Sequence, residues 1–293
     1  MSWDGPPLLL QGRMNAAPAI AYRTFVPAAE PKMLVVVTFG YFENMKRYRE
    51  VIERWNARGI CVAIYDLRGH GLSEGRRGFI SRFSDYTDDL QALLAELEKD
   101  AALRKLGPPV LFGHSLGGLI SIHGAFRPAR PLGGLALSSP YLALARKVPA
   151  MKVIPGRILS RFIPTVSMPA GVRGSDCTRT REIAEAYEDD PMNFKTANVR
   201  WFTETTHAQN EALERAPEIA IPVLCIQGGA DKIAQAAASE RFVARVSSAD
   251  KEYVTLPDHY HEVLNEPDRA TTIERFATTL LRWRTAIQGK AEG

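Results

Sequence analysis

The sequence predicts an α/β fold with a mostly parallel central sheet, helices on both faces and one inserted, mainly helical segment. Two observations predict the sheet: short, almost wholly apolar runs recur along the 293 residues, and a longer amphipathic run follows most of them. Strands that are apolar throughout are typical of a parallel sheet covered on both sides. A third observation, a proline-rich stretch that interrupts this alternation, predicts the insertion.

The predicted strands are apolar or β-branched runs of four to seven residues. In chain order they are Met33–Phe39, Ile60–Tyr65, Val110–Gly113, Leu132–Leu137, Ile221–Gln227 and Lys251–Leu256. The predicted helices are Lys46–Ala57, Asp85–Lys99, Leu116–Phe126 and Pro267–Trp283. In the second of these helices, four leucines share one face, which is the pattern of a helix that packs on a sheet.

The insertion is predicted to be a cap over residues 141–217, which leaves residues 1–140 and 218–293 as the core. Five prolines between positions 149 and 191 break the alternation of strands and helices. Helical patterns over Arg179–Asp189 and Val199–Leu213 make this cap mainly helical.

Composition argues against several classes of protein. A net charge of +4 is mild and gives no argument for a nucleic-acid partner. Three widely spaced cysteines argue against a disulfide framework or a zinc site, and we expect Cys61 and Cys225 to be buried thiols in strands. The N-terminus is a poor signal peptide, and no apolar run approaches the roughly 18 residues that span a bilayer. We therefore expect a cytoplasmic protein, and a peripheral membrane contact stays open.

One motif carries a specific chemistry. Gly113-His114-Ser115-Leu116-Gly117 fits the G-x-S-x-G pattern, directly after a predicted strand and directly before a predicted helix. The two glycines let the strand and the helix approach closely, and the N-terminus of the helix directs N–H groups toward an oxyanion. This context predicts the nucleophile elbow of an α/β-hydrolase fold, with Ser115 as the nucleophile.

A serine nucleophile needs a base, and the base needs a carboxylate that orients it. In α/β-hydrolases the chain order is serine, then acid, then histidine. Of the six histidines, only His259 and His261 lie in the loop before the last predicted helix. We favour His261, whose following residues lead into that helix, and keep His259 as the alternative.

Asp231 is the predicted acid because it lies in a glycine-rich turn at the carboxyl end of a predicted strand. Ligand chemistry in open α/β sheets gathers at that edge. The alternative is Asp66, at the end of an earlier strand, which we interpret as a turn-forming residue that orders its loop. Chain order favours Asp231.

Several segments together resemble the monoacylglycerol lipase and lysophospholipase group of α/β-hydrolases. The segments that carry the resemblance are Tyr65–Ser73, Gly113–Gly118, Ser138–Pro140, Gly228–Asp231, His261–Glu262 and, in the cap, Arg179–Met192. The resemblance runs from about Ala21 to Arg282 and implies a serine hydrolase in which Ser115, Asp231 and His261 form the catalytic triad. It implies a lipid-ester substrate and neither a metal nor an organic cofactor.

The resemblance also implies an oxyanion loop over Phe39–Tyr48, where the family usually reads His-Gly-x-x-Glu-His-x-x-Arg-Tyr. Gly40, Glu43, Arg47 and Tyr48 match this pattern, whereas Phe39 and Asn44 replace its two histidines. The oxyanion donors would be the backbone N–H groups of Tyr41 and Leu116.

The implied substrate-binding residues are Gly40, Glu43, Arg47 and His114. The family's Glu and Arg help to hold the polar glycerol end, but a spacing of four is also typical of a helix-start ion pair. His114 adjoins the nucleophile, but its position turns it the other way and favours a packed, hydrogen-bonded histidine.

Three functions are compatible with these residues. The first is an esterase for single-chain lipid esters, either lysophospholipids or monoacylglycerols, that forms an acyl-enzyme on Ser115. The second is a hydrolase of small soluble esters or thioesters, and the third is a non-catalytic small-ligand binder on the same fold. The intact serine, acid and histidine argue against the binder.

The start of the predicted cap is basic. Residues 141–175 contain no Asp or Glu and six basic residues, namely Arg146, Lys147, Lys152, Arg157, Arg161 and Arg173. Apolar residues lie between them, and this mixture suits an anionic lipid surface or a phosphate head group. A cap with solvated charges and an apolar underside is the alternative.

Overall fold

The computed structural model describes residues 8–10, 18–146 and 159–291. Their strands are β1 (Leu8–Leu10), β2 (Ile20–Phe25), β3 (Met33–Thr38), β4 (Ile60–Tyr65), β5 (Val110–His114), β6 (Gly134–Ser138), β7 (Ser167–Pro169), β8 (Thr196–Asn198), β9 (Val223–Gly228) and β10 (Lys251–Leu256). Their α-helices are α1 (Arg49–Ala57), α2 (Ser84–Leu97), α3 (Ala101–Arg104), α4 (Leu116–Phe126), α5 (Gly174–Cys177), α6 (Arg181–Asp189), α7 (Val199–Arg215), α8 (Ala236–Arg245) and α9 (Arg269–Ala291). Two short 3-10 helices span Met45–Tyr48 and Ala216–Glu218.

Within the described ranges, eight strands form one sheet in the order β1-β2-β4-β3-β5-β6-β9-β10. The pairs β1–β2 and β2–β4 are antiparallel, and all other neighbours are parallel. In the middle of the sheet, Val35 lies opposite Val62 on one side and Val110 on the other. The predicted mostly parallel sheet is confirmed.

Helices cover both faces of the sheet, and neighbouring residues of β5 show this directly. The Phe112 ring lies against Trp55 of α1 at 5.2 Å and against Phe276 of α9 at 5.1 Å. Leu111 points to the opposite face, where it approaches Gly124 of α4. Because successive side chains of a strand alternate between faces, a strand between two helix layers must be apolar at every position.

The segment between β6 and β9 contains α5, α6, α7 and a two-stranded antiparallel sheet of β7 and β8, and residues 159–162 are helical. Helix α7 lies over α4, where the Nε2–H of His123 donates to the Ala208 carbonyl oxygen at 2.9 Å. Residues 147–158, which the sequence places in the cap, lie outside the described residues. The division into a core and a cap at residues 141 and 217 therefore stays a prediction.

Several elements lie outside the predicted set, namely β1, β2, α8 and the short elements α3, α5, β7, β8 and the 3-10 helix Ala216–Glu218. Strand β2 is antiparallel to β4, and its mixed sequence IAYRTF lacks the continuous apolar run that marks the other strands. Helix α8 begins with three alanines, so its buried face gives only a weak periodic signal. The prediction for the thiols is confirmed: Cys61 and Cys225 are buried and unbridged in β4 and β9.

Candidate active site

The chain turns sharply at Ser115, between the end of β5 and the start of α4. The φ angle of Ser115 is 52° and its ψ is −119°, a conformation that residues with a side chain rarely adopt. Its N–H donates to the Ser138 carbonyl oxygen at 3.0 Å, and its own carbonyl oxygen accepts from Tyr141 N–H at 2.9 Å. A Cβ atom on Gly117 would collide with the Thr38 carbonyl group, so this position requires glycine. The surrounding contacts therefore hold the strained turn in place.

Ser115, His261 and Asp231 form one hydrogen-bonded chain. His261 Nε2 lies 2.7 Å from Ser115 Oγ, and His261 Nδ1 lies 2.7 Å from Asp231 Oδ2. The carboxylate can only accept a hydrogen bond, so Nδ1 carries the proton and Nε2 accepts from the serine hydroxyl. All three side chains are buried. This geometry suits a base that withdraws a proton from Ser115 Oγ.

Three donors fix the Asp231 carboxylate apart from His261. Gln227 Nε2 donates to Oδ2 at 2.8 Å, and the backbone N–H groups of Ile233 and Ala234 donate to Oδ1 at 2.8 and 2.9 Å. A carboxylate held at both oxygens keeps the histidine ring in one orientation.

The two alternative residues lie elsewhere. His259 Nε2 contacts Asp268 Oδ1 at 2.7 Å, on a carboxylate that is largely exposed. The Asp66 carboxylate accepts from the backbone N–H groups of Met45 and Leu72, both at 2.8 Å, so it joins two loops. Burial raises the pKa of Asp66 to about 6, against the effect of these hydrogen bonds. The structure thus joins Asp231 and His261, not Asp66 or His259, to Ser115.

The loop with Gly40 and Tyr41 lies beside the serine. A Cβ atom on Gly40 would lie 3.1 Å from Ser115 Cβ and would collide with Glu43 Oε1. Leu116 is the first residue of α4. None of the described residues accepts a hydrogen bond from the backbone N–H of Tyr41 or Leu116. Both N–H groups are therefore available as donors, and their part in binding an oxyanion stays a prediction.

Glu43, Arg47 and Glu262 form a buried cluster next to His261. Arg47 Nη2 lies 2.6 Å from Glu262 Oε2, and Arg47 Nε lies 3.5 Å from Glu43 Oε2. Glu43 Oε1 accepts from the Gly40 N–H at 3.0 Å, so the cluster also holds the loop that contains Gly40 and Tyr41. The ion pair at spacing four, which the sequence left as an alternative, is present. Nothing in the sequence predicts that Glu262 joins this cluster, apart from its position next to His261.

The pKa values of Glu43 and His261 are both raised, but for different physical reasons. Burial, followed by the Glu262 carboxylate, raises the pKa of Glu43 to about 7. Burial lowers the pKa of His261, but the charge and hydrogen bond of Asp231, with smaller effects of Glu262 and Glu43, outweigh it. The net pKa of His261 is raised above 6.5.

His114 packs as a neutral residue. Burial, followed by the proximity of His261, lowers the pKa of His114 to about 3. Its Nδ1 lies 3.0 Å from the Ser138 carbonyl oxygen, which makes this nitrogen the donor. This environment matches the interpretation of His114 as a packed, hydrogen-bonded histidine.

A cavity of about 910 Å³ opens from the serine toward the inserted segment. Its aromatic wall is a stack in which Trp201 lies between Tyr41, at 3.9 Å, and Tyr141, at 6.0 Å. Among the described residues, those that line the cavity include Ser115, Leu116, Tyr41, Glu43 and His261 but not Gly40, Arg47 or His114. Trp201 lies on the amphipathic helix α7, and no motif in the sequence marks it as part of the site.

The chain is similar to known proteins along most of its length. Residues 29–268 match the model of the Hydrolase_4 family, described as serine aminopeptidase, S33. Phospholipase YtpA of Bacillus subtilis is 30% identical over 244 residues, which are 83% of this chain and 92% of that protein. The monoacylglycerol lipase of Mycolicibacterium smegmatis is 28% identical over 257 residues, which are 87% of this chain and 90% of that protein.

Solved structures have the same architecture. The monoacylglycerol lipase of Paleococcus ferrophilus has a TM-score of 0.82 at 27% identity and covers 90% of this chain and 99% of its own. A soluble variant of monoglyceride lipase from Saccharomyces cerevisiae has a TM-score of 0.82 at 22% identity and covers 96% of this chain and 97% of its own, a likeness of fold alone. The predicted α/β-hydrolase fold and the predicted resemblance are confirmed.

Substitutions of the two candidate bases and of the two candidate acids test which residues act in catalysis. We expect His261→Ala and Asp231→Asn to lower kcat by roughly three orders of magnitude or more, as loss of a triad member does. His259→Ala and Asp66→Asn are the matched controls and should retain most of their kcat while losing stability. Steady-state kinetics on a short p-nitrophenyl ester, with circular dichroism to verify folding, measures both effects. Larger losses of kcat in well-folded His259→Ala and Asp66→Asn would contradict the assignment.

The raised pKa of His261 predicts the pH at which activity falls on the acid side of the pH profile. The base acts only when it is neutral, so kcat/KM should fall as the pH drops through a value above 6.5. Glu262→Gln removes a buried negative charge, lowers the pKa of His261 and should move this limb to lower pH. Asp268→Asn, at an exposed carboxylate that contacts His259 instead, is the control and should leave the limb in place. A limb that stays fixed in Glu262→Gln would show that another group controls it.

Proposed function

This chain belongs to the Hydrolase_4 family of α/β-hydrolases and is a carboxylic ester hydrolase, and we propose that it cleaves single-chain lipid esters such as monoacylglycerols and lysophospholipids. The observation that carries the proposal is the hydrogen-bonded chain from Asp231 through His261 to Ser115, whose histidine and serine line a mainly apolar cavity. Relatives named for phospholipase and monoacylglycerol lipase activity support the substrate class.

In the proposed mechanism, Ser115 Oγ attacks the ester carbonyl carbon while His261 Nε2 takes the hydroxyl proton. The carbonyl oxygen becomes an oxyanion, and the N–H groups of Tyr41 and Leu116 bind it. The bond to the leaving oxygen then breaks, and His261 gives its proton to that oxygen. Ser115 remains acylated, and the alcohol departs.

Water completes the cycle. His261 takes a proton from the water, whose oxygen attacks the acyl carbon. When this second intermediate collapses, His261 returns the proton to Ser115 Oγ, and the fatty acid is released. Asp231 keeps the imidazole in the required tautomer and stabilises its cationic form in both halves of the reaction.

The cavity favours an acyl chain over a compact soluble ester. Apolar and aromatic side chains form most of its wall, among them Phe42, Leu144, Leu159, Val172 and Trp201. Each methylene group removed from water contributes about 0.8 kcal/mol to binding. A long acyl chain in this space therefore stabilises the complex far more than an acetyl group does.

Exchange of the nucleophile tests the function. We expect purified Ser115→Ala to lose hydrolysis of monolauroylglycerol and lauroyl lysophospholipid by several orders of magnitude, because no oxygen remains to form the acyl-enzyme. The exchange Ser139→Ala, at another buried serine with positive φ, is the matched control and should keep most of the turnover in folded protein. Near-normal lipid hydrolysis by Ser115→Ala would end the proposal.

We further propose that the inserted segment lies against a lipid surface. Three of the five exposed large apolar side chains of the described residues, Phe162, Ile163 and Met168, lie between positions 162 and 168. Phe162 is 74% exposed and follows the exposed Arg161. Met168 also lines the cavity, so this apolar surface continues into the site. Lys147, Lys152 and Arg157 of the predicted basic patch lie outside the described residues.

Truncation of this apolar surface should weaken lipid binding. Phe162→Ala/Ile163→Ala removes apolar area that would enter the bilayer, and we expect several-fold weaker binding to vesicles rich in anionic lipid. Val26→Ala/Leu72→Ala truncates the other two exposed side chains and is the control. Co-sedimentation with vesicles, repeated at high salt, measures binding. Equal binding by the two double variants, or binding insensitive to salt, would contradict the proposal.

A further inference from the structure

We infer that Ser239 is a positioning residue for the reaction: it fixes the side-chain amide of Gln227, and this amide in turn holds Asp231. The inference rests on the proposed hydrolysis through Ser115, His261 and Asp231, and it adds two residues to the structure that supports them. Gln227 is the next-to-last residue of β9, and Ser239 lies in α8. Both residues are fully buried.

Asp231 Oδ2 accepts two side-chain hydrogen bonds. His261 Nδ1 lies 2.7 Å from this oxygen, and Gln227 Nε2 donates to it at 2.8 Å. Among the residues that the structure describes, the other oxygen, Oδ1, accepts only from the backbone N–H groups of Ile233 and Ala234. Apart from His261, the Gln227 amide is thus the side chain that fixes Oδ2, and the direction of the His261 ring depends on Oδ2.

The partners of Gln227 define which end of its amide faces Asp231. A carboxylate can only accept a hydrogen bond, so the NH₂ group must face Oδ2 and the amide oxygen Oε1 must point away. Ser239 Oγ lies 2.9 Å from Oε1 and donates to it. If the amide turned over, Oε1 would face Oδ2 as a second acceptor with no proton between them. Ser239 therefore stabilises the orientation that holds Asp231.

Ser239 is the polar exception on the buried face of α8. The other buried residues of this helix are Ala238, Phe242 and Val243, which are all apolar. A buried hydroxyl group needs a partner, because leaving it unpaired costs free energy. A serine in a helix can bond to a carbonyl oxygen of the preceding turn, but Ser239 Oγ reaches across to β9 instead. The hydroxyl group thus links α8 to the amide of Gln227.

The chain of contacts lies outside the substrate cavity. Ser115 and His261 line the cavity, whereas Asp231, Gln227 and Ser239 are not among the described residues of its wall. Loss of the Ser239 hydroxyl should therefore leave substrate binding unchanged and slow the chemical step. A fall of kcat and of kcat/KM by the same factor is the kinetic sign of such a residue.

A double-mutant cycle on hydrolysis of a short p-nitrophenyl ester tests whether Ser239 acts through Gln227. We expect Ser239→Ala and Gln227→Met each to lower kcat about tenfold, with KM within about twofold of the wild type. The double variant should lose no more than Gln227→Met alone, because no amide remains for Ser239 to orient. The matched control Ser248→Ala removes another buried serine hydroxyl, which donates to the Asp250 carbonyl oxygen at 3.1 Å, and should keep a near-normal kcat.

Additive losses would overturn the inference. If Ser239→Ala lowered kcat by the same factor in the Gln227→Met background as in the wild type, Ser239 would act through the packing of α8 and not through the amide. Normal kcat in folded Ser239→Ala would overturn it as well. Ser239→Cys keeps nearly the same volume with only a weak donor, and it takes the place of Ser239→Ala in the cycle if circular dichroism shows that the alanine variant does not fold.

Ser115→Ala, measured beside the cycle, separates this inference from the proposed function. An inactive Ser115→Ala together with additive losses in the cycle overturns the positioning by Ser239 alone. A Ser115→Ala protein with near-normal turnover overturns the proposed mechanism and the positioning by Ser239 with it.

Discussion

The strained backbone of Ser115 is the constraint on which the rest of the site depends. A serine at φ 52° is stable only where its neighbours fix the turn, and here β5, β6 and α4 do so through the hydrogen bonds of its N–H and carbonyl groups. The turn lifts Oγ above the carboxyl edge of the parallel sheet. The loops after β9 and β10 reach the same edge, which brings Asp231 and His261 to the hydroxyl.

The inserted segment is joined to the loop that contains His261. Glu262 N–H donates to the Cys177 carbonyl at 2.8 Å, and the hydroxyl groups of Thr178 and Thr180 both donate to the Asn265 carbonyl. Arg179 Nε lies 2.5 Å from the fully buried Glu266 carboxylate. A displacement of this part of the segment would therefore act directly on the loop around His261.

The local sequence was sufficient to predict the parallel strands of the central sheet and the position of the sharp turn at Ser115. Buried parallel strands need apolar residues at every position, and G-x-S-x-G between a strand and a helix has a steric reason, which Gly117 against Thr38 illustrates. Chain order then selected the two residues that the structure places beside Ser115. Their catalytic roles remain predictions.

Other features depend on distant pairings that no local pattern records. The ion pair of Arg47 with Glu262 joins residues 215 positions apart, and one isolated antiparallel bridge pairs Leu144 with the distant Ala234. Strand β2 escaped prediction because an antiparallel strand need not be apolar throughout, and it contains the buried Arg23. Such pairings follow from tertiary packing and become visible only in the folded chain.

The nucleophilic role of Ser115 is the central claim, and the site of covalent modification tests it most directly. The folded protein would be treated with a fluorophosphonate probe, digested and analysed by tandem mass spectrometry, in parallel with its residual ester hydrolysis. We expect one adduct, on Ser115, that forms in proportion to the loss of activity. An adduct on another residue, or full inactivation with Ser115 unmodified, would contradict it.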